Sequence, residues 1–369
     1  MENKMKTILG DDLLIKKNAF ILKLNGKRNV LSTSLLNGGT RDNIKAVFNF
    51  DGKEESTKHY IIKKSTYQEH LRNIAINLGL NPNYTTGLST CADIKNFGIS
   101  IKHKNDTAVL AIVTAGVGGN ACRAGDPASF DEMYLEEPLQ DHATINIILE
   151  INANLSMGAL TNALITVTEA KSALLQELQI GSLYSNQIAT GTGTDGCIVI
   201  SNHDSNYILT NSGKHSLLGE LIANAVKEAL RQALFKQEKI TAQNRFAFFI
   251  LSKRYGINEK EILRELMKSS KFKNLSKKNI QKMIKINSTS EKLIISLVLF
   301  IHLSDLINWR IIKVQNIISI IKLLTYDMFD DLKLDKVPEL SINQNYDHSK
   351  QILGLIKEIL IVSLEKMLV

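Results

Sequence analysis

The 369-residue chain carries 45 Lys and Arg against 37 Asp and Glu, a formal net charge of +8, with 44% hydrophobic and 22% charged residues. That is a globular composition with ample chain for a core, in one large domain or two ordinary ones, and it excludes fibrous and low-complexity classes. The charge is uneven: up to Phe235 there are 22 basic against 23 acidic residues, and beyond it 23 against 14. A neutral front portion argues against nucleic acid as its partner.

Cys91, Cys122 and Cys197 form no CxxC pair or His/Cys ligand spacing, so neither a zinc site nor a disulfide framework is expected. They read as small buried residues in a reducing compartment. The opening MENKMKTILGDDLLIKK lacks a signal-peptide pattern. The longest uncharged apolar run, Leu293 to Ser304, stops at Asp305, short of the roughly 20 residues a membrane span needs. The expected location is the cytoplasm.

In chain order, Ala19–Leu24, Val30–Leu35 and Ala46–Phe50 read as short strands, separated by Asn25-Gly26 and by the loop from Asn37 to Arg41. The first helix is expected over 66–78, with Tyr67, Leu71, Ile74, Ala75 and Leu78 on one face. Phe97–Lys102 and Thr107–Val113 suggest a hairpin that runs into Thr114-Ala115-Gly116-Val117-Gly118-Gly119-Asn120, then Arg123 and Gly125-Asp126-Pro127. A strand ending in glycines can bring backbone N–H groups close to a ligand, or simply turn. Ser129 to His142, with two acidic clusters, reads as a partly ordered excursion.

Ala143–Asn152 is a strong strand, and Ser156 is placed to cap a helix reaching Leu178. Leu160, Leu164, Val167, Ala170 and Leu174 form its core face, while Asn162, Thr166 and Glu169 make a narrow polar stripe. Ala189 to Gly196 is a second glycine-rich loop, carrying Thr190, Thr192, Thr194 and Asp195 into the strand Cys197–Ile200. Gly213-Lys214-His215-Ser216 then leads a helix to about Phe235, and the helix dipole would disfavour a protonated His215. Beyond Phe235 helical periodicity prevails, and residues 351–369 are apolar almost all round, as in a bundle or interface.

Two segments fit GxGxx(G/A), beginning at Gly116 and Gly191, but neither opens a helix, and P-loop and GxSxG motifs are absent. Two glycine loops with hydroxyl, amide and carboxylate groups, plus a helix-leading histidine, could polarise a carbonyl and activate water. Chemistry alone leaves a hydrolase or a ligand-binding protein open.

Three blocks in order go further: TAGVGGNACRAGDPA (114–128), GALTNALITVTEAKSALLQEL (158–178) with ATGTGTDGCIVI (189–200), and GKHSLLGELIANAVKEAL (213–230). Together they resemble the adenosylcobinamide amidohydrolase (CbiZ) family over about residues 10 to 255, to Arg254-Tyr255-Gly256. The resemblance implies an enzyme of corrinoid salvage in cobalamin biosynthesis. It would cleave the amide joining the aminopropanol arm of adenosylcobinamide to the corrin ring, giving adenosylcobyric acid. The cobalt would arrive with the substrate, so no cofactor or protein metal site is expected.

The expected fold is α+β, a layered, mixed and largely antiparallel sheet with long packed helices, over residues 1–256. An all-α basic extension follows over 257–369, whose role would be homo-oligomerisation or docking on a membrane surface or acidic partner. Amide hydrolysis needs a nucleophile or activated water, a proton donor and oxyanion donors. Asp195 or Glu169 would orient or deprotonate the nucleophile, and His215 would act as acid/base. Gly118, Gly119 and Asn120 would hold the oxyanion. Arg123 and Asp126 would hold substrate or the loop itself, with Asn162, Thr190, Thr192 and Thr194 also lining the substrate site. The threonines are rival nucleophiles to direct water attack. A non-catalytic corrinoid-binding protein and a self-processing threonine amidohydrolase acting on another amide stay open.

Overall fold

The computed structural model describes residues 3–53, 66–129, 131, 133, 143–331 and 348–366, and divides into two compact units, Met1–Thr241 and Ala242–Val369. In the first unit the order is β1 (Asn3–Lys6), β2 (Asp12–Ile15), β3 (Ala19–Lys23), β4 (Arg28–Ser32), β5 (Gly39–Arg41), β6 (Ala46–Asp51), α1 (Tyr67–Asn77) and β7 (Thr85–Thr90). Then come β8 (Gly98–Lys104), β9 (Thr107–Ala115), β10 (Ala121–Cys122), β11 (Ile145–Ile151), β12 (Asn154–Leu155) and α2 (Met157–Glu177). Last are β13 (Gly191–Thr192), β14 (Gly196–Asn202), β15 (Ile208–Leu209) and α3 (Leu217–Glu238).

The class is α+β, as expected, but the layering holds two sheets, in the orders β1-β2-β3-β6-β7 and β5-β4-β14-β11-β9-β8. Most pairings are antiparallel; β6–β7 and β11–β14 within the sheets, and the short pair β12–β15, are parallel. Strand alternation shows why the sheets stack. In β9, Leu110 and Ile112 point into a core shared with Phe20, Leu22 and Val47 of the other sheet. Val109, Ala111 and Val113 point the opposite way, onto α2 and α3. The far face of the first sheet, with Ile21 and Phe48, is covered by Leu71, Ile74 and Ala75 of α1. The layers are therefore helix, sheet, sheet, helices.

Local chemistry sets the boundaries. Thr66 caps α1, Ser156 caps α2 and Ser216 caps α3, each side chain accepting from an amide three residues on. The strand expected to reach Leu35 stops at Ser32 because the Ser32 and Ser34 hydroxyls accept from the amides of Ser34 and Leu36 and bend the chain. The acidic excursion of 129–142 lies almost wholly outside the described residues.

The second unit is helical: α4 (Ala242–Arg245), α5 (Phe248–Ser252), α6 (Glu259–Lys268), α7 (Lys277–Asn287), α8 (Glu291–Asn308), α9 (Ile318–Asp331) and α10 (His348–Lys366). Phe248, Ile262, Leu297, Phe300, Ile356 and Leu360 anchor its own core. Arg254 grips Asp305 with two bonds of 2.9 and 2.6 Å, and the Tyr255 hydroxyl donates to Asp305 at 2.6 Å. Arg254 and Tyr255 thus serve the helical unit. Among the described residues no helix is long and apolar enough to cross a membrane.

Candidate active site

The two glycine loops meet. β10 and β13 pair antiparallel, Ala121 with Thr192 and Cys122 with Gly191, so a two-stranded ribbon joins the end of β9 to the approach to β14. Lys171 of α2 and Asp195 form an ion pair beneath it, with only 11% and 16% of the side chains exposed. Asp195 Oδ2 also accepts from the Thr192 amide at 3.0 Å, while Oδ1 accepts from the Thr192 hydroxyl at 2.5 Å and the Ile145 amide at 3.1 Å. With four donors on its two oxygens, the carboxylate is committed to holding the loop against the start of β11.

Gly191 makes this possible. A Cβ there would stand 2.2 Å from Asp195 Oδ2 and 2.7 Å from Lys171 Nζ. Gly193 likewise admits Asn120, whose Oδ1 lies 3.1 Å from where a Cβ would be.

Above this anchor sits a set of neutral groups. The hydroxyls of Thr144 and Thr194 share a hydrogen bond of 2.6 Å, and Asn120 Nδ2 donates to Thr194 Oγ1 at 3.3 Å. The Tyr184 hydroxyl donates to Asn120 Oδ1 at 3.0 Å, fixing the amide with its NH₂ toward Thr194. Asn120 is buried, whereas Gly193, Thr194 and Tyr184 are exposed, so the cluster opens to solvent on one side. Burial, helped by Asp195 and Asp126, pushes the nearby Cys122 thiol up, so this sulfur stays neutral.

The remaining expected residues bond within the loops or to the segment before α3. Thr190 accepts from the Ala124 amide at 2.9 Å, tying the two loops together. Arg123 donates to the Ile188 carbonyl at 2.9 Å, and Asp126 accepts from the Arg123 amide at 2.7 Å and Ser182 at 2.5 Å. Burial raises the Asp126 carboxyl, but the Ser182 and Ser185 hydrogen bonds outweigh it and its pKa falls. These two side chains brace the loop. The polar stripe of α2 meets the segment before α3: Asn162 lies by Gly213, Thr166 donates to the Ser212 carbonyl at 2.9 Å, and Glu169 pairs with Lys214 at 2.5 Å. Two residues are about 200° of helix, so Glu169 faces away from Lys171.

His215 stands before the cap of α3, exposed, while Glu238 closes the same helix. Both the Val117 and Gly118 amides donate to Glu238 Oε1, at 2.7 and 3.1 Å. A helix of 22 residues is about 33 Å long. Since Gly118 adjoins Asn120, the length of α3 separates His215 from Asn120, and these two do not converge as expected. The Gly118 amide, expected to receive an oxyanion, is already engaged by Glu238.

Lys171, Thr144 and Tyr184 were not singled out from sequence. For Lys171 a signal existed: it continues the row Leu160, Leu164, Val167 at helical spacing and puts a cation on the core face of α2. Thr144 and Tyr184 carry no such mark, being ordinary residues before a strand and in a loop.

A model of the adenosylcobinamide amidohydrolase family (CbiZ) matches residues 5–242. The chain is 33% identical over 248 residues to the uncharacterized protein MJ1613 of Methanocaldococcus jannaschii, covering 63% of this chain and 92% of that one. Among solved structures it is similar to the PH0078 protein from Pyrococcus horikoshii OT3, at TM-score 0.31 and 14% identity over 64% of this chain and 82% of that one. It is also similar to a beta-aminopeptidase from Burkholderia sp., at TM-score 0.30 and 11% identity over 60% and 80%. An L-aminopeptidase D-Ala-esterase/amidase from Ochrobactrum anthropi follows, at 0.28 and 12% over 69% and 91%.

Proposed function

The chain belongs to the adenosylcobinamide amidohydrolase family, and from that premise we infer that it hydrolyses the amide between the aminopropanol arm and the corrin ring of adenosylcobinamide. In this reaction water supplies a hydroxyl to the acyl carbon and a proton to the departing nitrogen. One C–O bond forms, one C–N bond breaks, and adenosylcobyric acid and aminopropanol leave. The cobalt travels within the substrate.

The observation that carries the assignment of residues is the meeting of Asn120, Thr144 and Thr194 from three chain segments over the Lys171–Asp195 anchor. Asn120 Nδ2, held by Tyr184, is a neutral donor suited to the developing oxyanion. The Thr194 and Thr144 hydroxyls both donate and accept, and so can pass the proton of the attacking oxygen toward the leaving amine. Asp195 is a positioning residue here, its lone pairs already taken.

Mass spectrometry of adenosylcobinamide after incubation with the purified protein tests the reading. Adenosylcobyric acid and free aminopropanol are expected in equal amounts. Unchanged substrate, bound but intact, would leave a corrinoid-binding protein instead. Thr194→Val and Asn120→Ala should each slow turnover by roughly 10²–10³. A covalent acyl adduct of fixed mass on Thr194 would replace direct water attack with a threonine nucleophile.

A further inference from the structure

We propose that the helical unit carries a lysine face that docks on an anionic lipid surface, a role independent of the hydrolase reading. Between Glu265 and Glu291 the chain holds seven lysines, at 268, 271, 273, 277, 278, 282 and 285, and no acidic residue or arginine. All seven are exposed. Lys271 pairs with Glu365, and among the described residues the other six have no carboxylate partner.

The geometry of α7 concentrates this charge. Ile280 and Ile284 are buried against the bundle, and Lys278, Lys282 and Lys285 follow one another at i, i+4 and i+7 on the opposite side. Only Lys285, in the last turn, suits the helix dipole. Like charges one turn apart repel, and Lys277 and Lys278 occupy the first turn, where the dipole favours an acid and none is present. A row of mutually repelling cations suits an anionic partner.

The side-chain types select lipid over nucleic acid. Readout of bases uses the planar guanidinium and exposed stacking rings. This stretch has no arginine, and its one aromatic, Phe272, is buried. It offers instead flexible lysine stems beside exposed apolar chains, Ile286 one turn after Lys282 and Met267 next to Lys268. Lysines reaching headgroups with apolar side chains dipping between them is the chemistry of a peripheral contact.

The test is co-sedimentation of the full chain with vesicles of phosphatidylcholine alone or with added phosphatidylglycerol, beside a 30-base-pair DNA duplex and an RNA of equal length. Binding to the anionic vesicles alone, lost as salt is raised, is expected. The K278Q/K282Q/K285Q chain should partition roughly a hundredfold less, about fivefold for each charge removed. Ile286→Ser should weaken binding while leaving its salt dependence as it was. Equal binding to neutral vesicles, an unaffected triple variant, or a duplex or RNA that outcompetes the vesicles would overturn the proposal.

Discussion

Lys171 and Asp195 face each other with little water between them, and the pair carries the loop from Thr192 to Thr194 on it. Removing one partner leaves the other charge buried, so Lys171→Met should cost about 3–5 kcal/mol, read from denaturant unfolding. The K171M/D195N double variant should lose clearly less than the two single losses added together. A second buried charge acts on the whole fold. Glu150 sits between the sheets, fully buried, and among the described residues neither carboxyl oxygen makes a hydrogen bond of good geometry. Burial, with Asp11 adding to it, lifts its pKa to about 8 against the pull of the Thr7 hydroxyl and of Arg28. The unfolded chain releases this proton near pH 4.5 and the folded chain near 8, so the native state binds more protons across that window. Stability therefore falls as pH rises from about 4.5 to about 8, by at most about 1.4 kcal/mol per pH unit, and levels off above. Glu150→Gln should match the parent at pH 4 and exceed it increasingly up to pH 8; an equal difference in unfolding free energy between the two proteins at pH 5 and pH 8, read from urea titrations, would refute this. The isoleucines flanking Glu150 announce a buried strand in the sequence, but nothing there says that Arg28 is bonded to Asp11 and not to this carboxylate.

The helices and strands were legible where their periodicity is strong. Thr66, Ser156 and Ser216 cap the helices they precede, and the apolar rows of α2 and α3 lie in the core. Which strands share a sheet was not legible, because Leu22 and Leu110 alternate in the same way whether they are paired or stacked. The long reach of α3 was legible too, yet its consequence was not: a histidine at one end and the Gly118 turn at the other cannot meet at one scissile bond. Glu238 links that distant end to the loop. Two amides converging on one carboxylate oxygen fix the Val117–Gly118 turn next to Asn120. Glu238→Ala should free these amides, raising hydrogen exchange at Val117 and Gly118 at least tenfold while exchange in the middle of α3 is unchanged. If the two amides stay as protected as in the parent chain, the loop is held by its own turn, closed by the Ala121 amide on the Val117 carbonyl.

Charge, family match and compactness divide the molecule at the same place. Residues 1–241 contain 24 basic and 24 acidic side chains, and residues 242–369 contain 21 and 13, so the entire excess belongs to the helical unit. The family model ends at residue 242, one residue past the first compact unit. In the sequence, Arg254-Tyr255-Gly256 extends the family-like segment to Gly256. In the fold that arginine and tyrosine are spent on Asp305, a partner 50 residues further on that local pattern cannot reveal. Every group of the candidate site, from Asn120 to Asp195, is bonded to others within residues 1–241. A chain ending after Thr241 should therefore fold, unfold cooperatively and hydrolyse adenosylcobinamide with a kcat within about threefold of the full protein, while its partitioning onto anionic vesicles disappears. Loss of turnover in a truncated chain that keeps its circular-dichroism spectrum and melting transition would mean that the helical unit supplies something the reaction needs, and the division drawn by charge and packing would not be the division of labour.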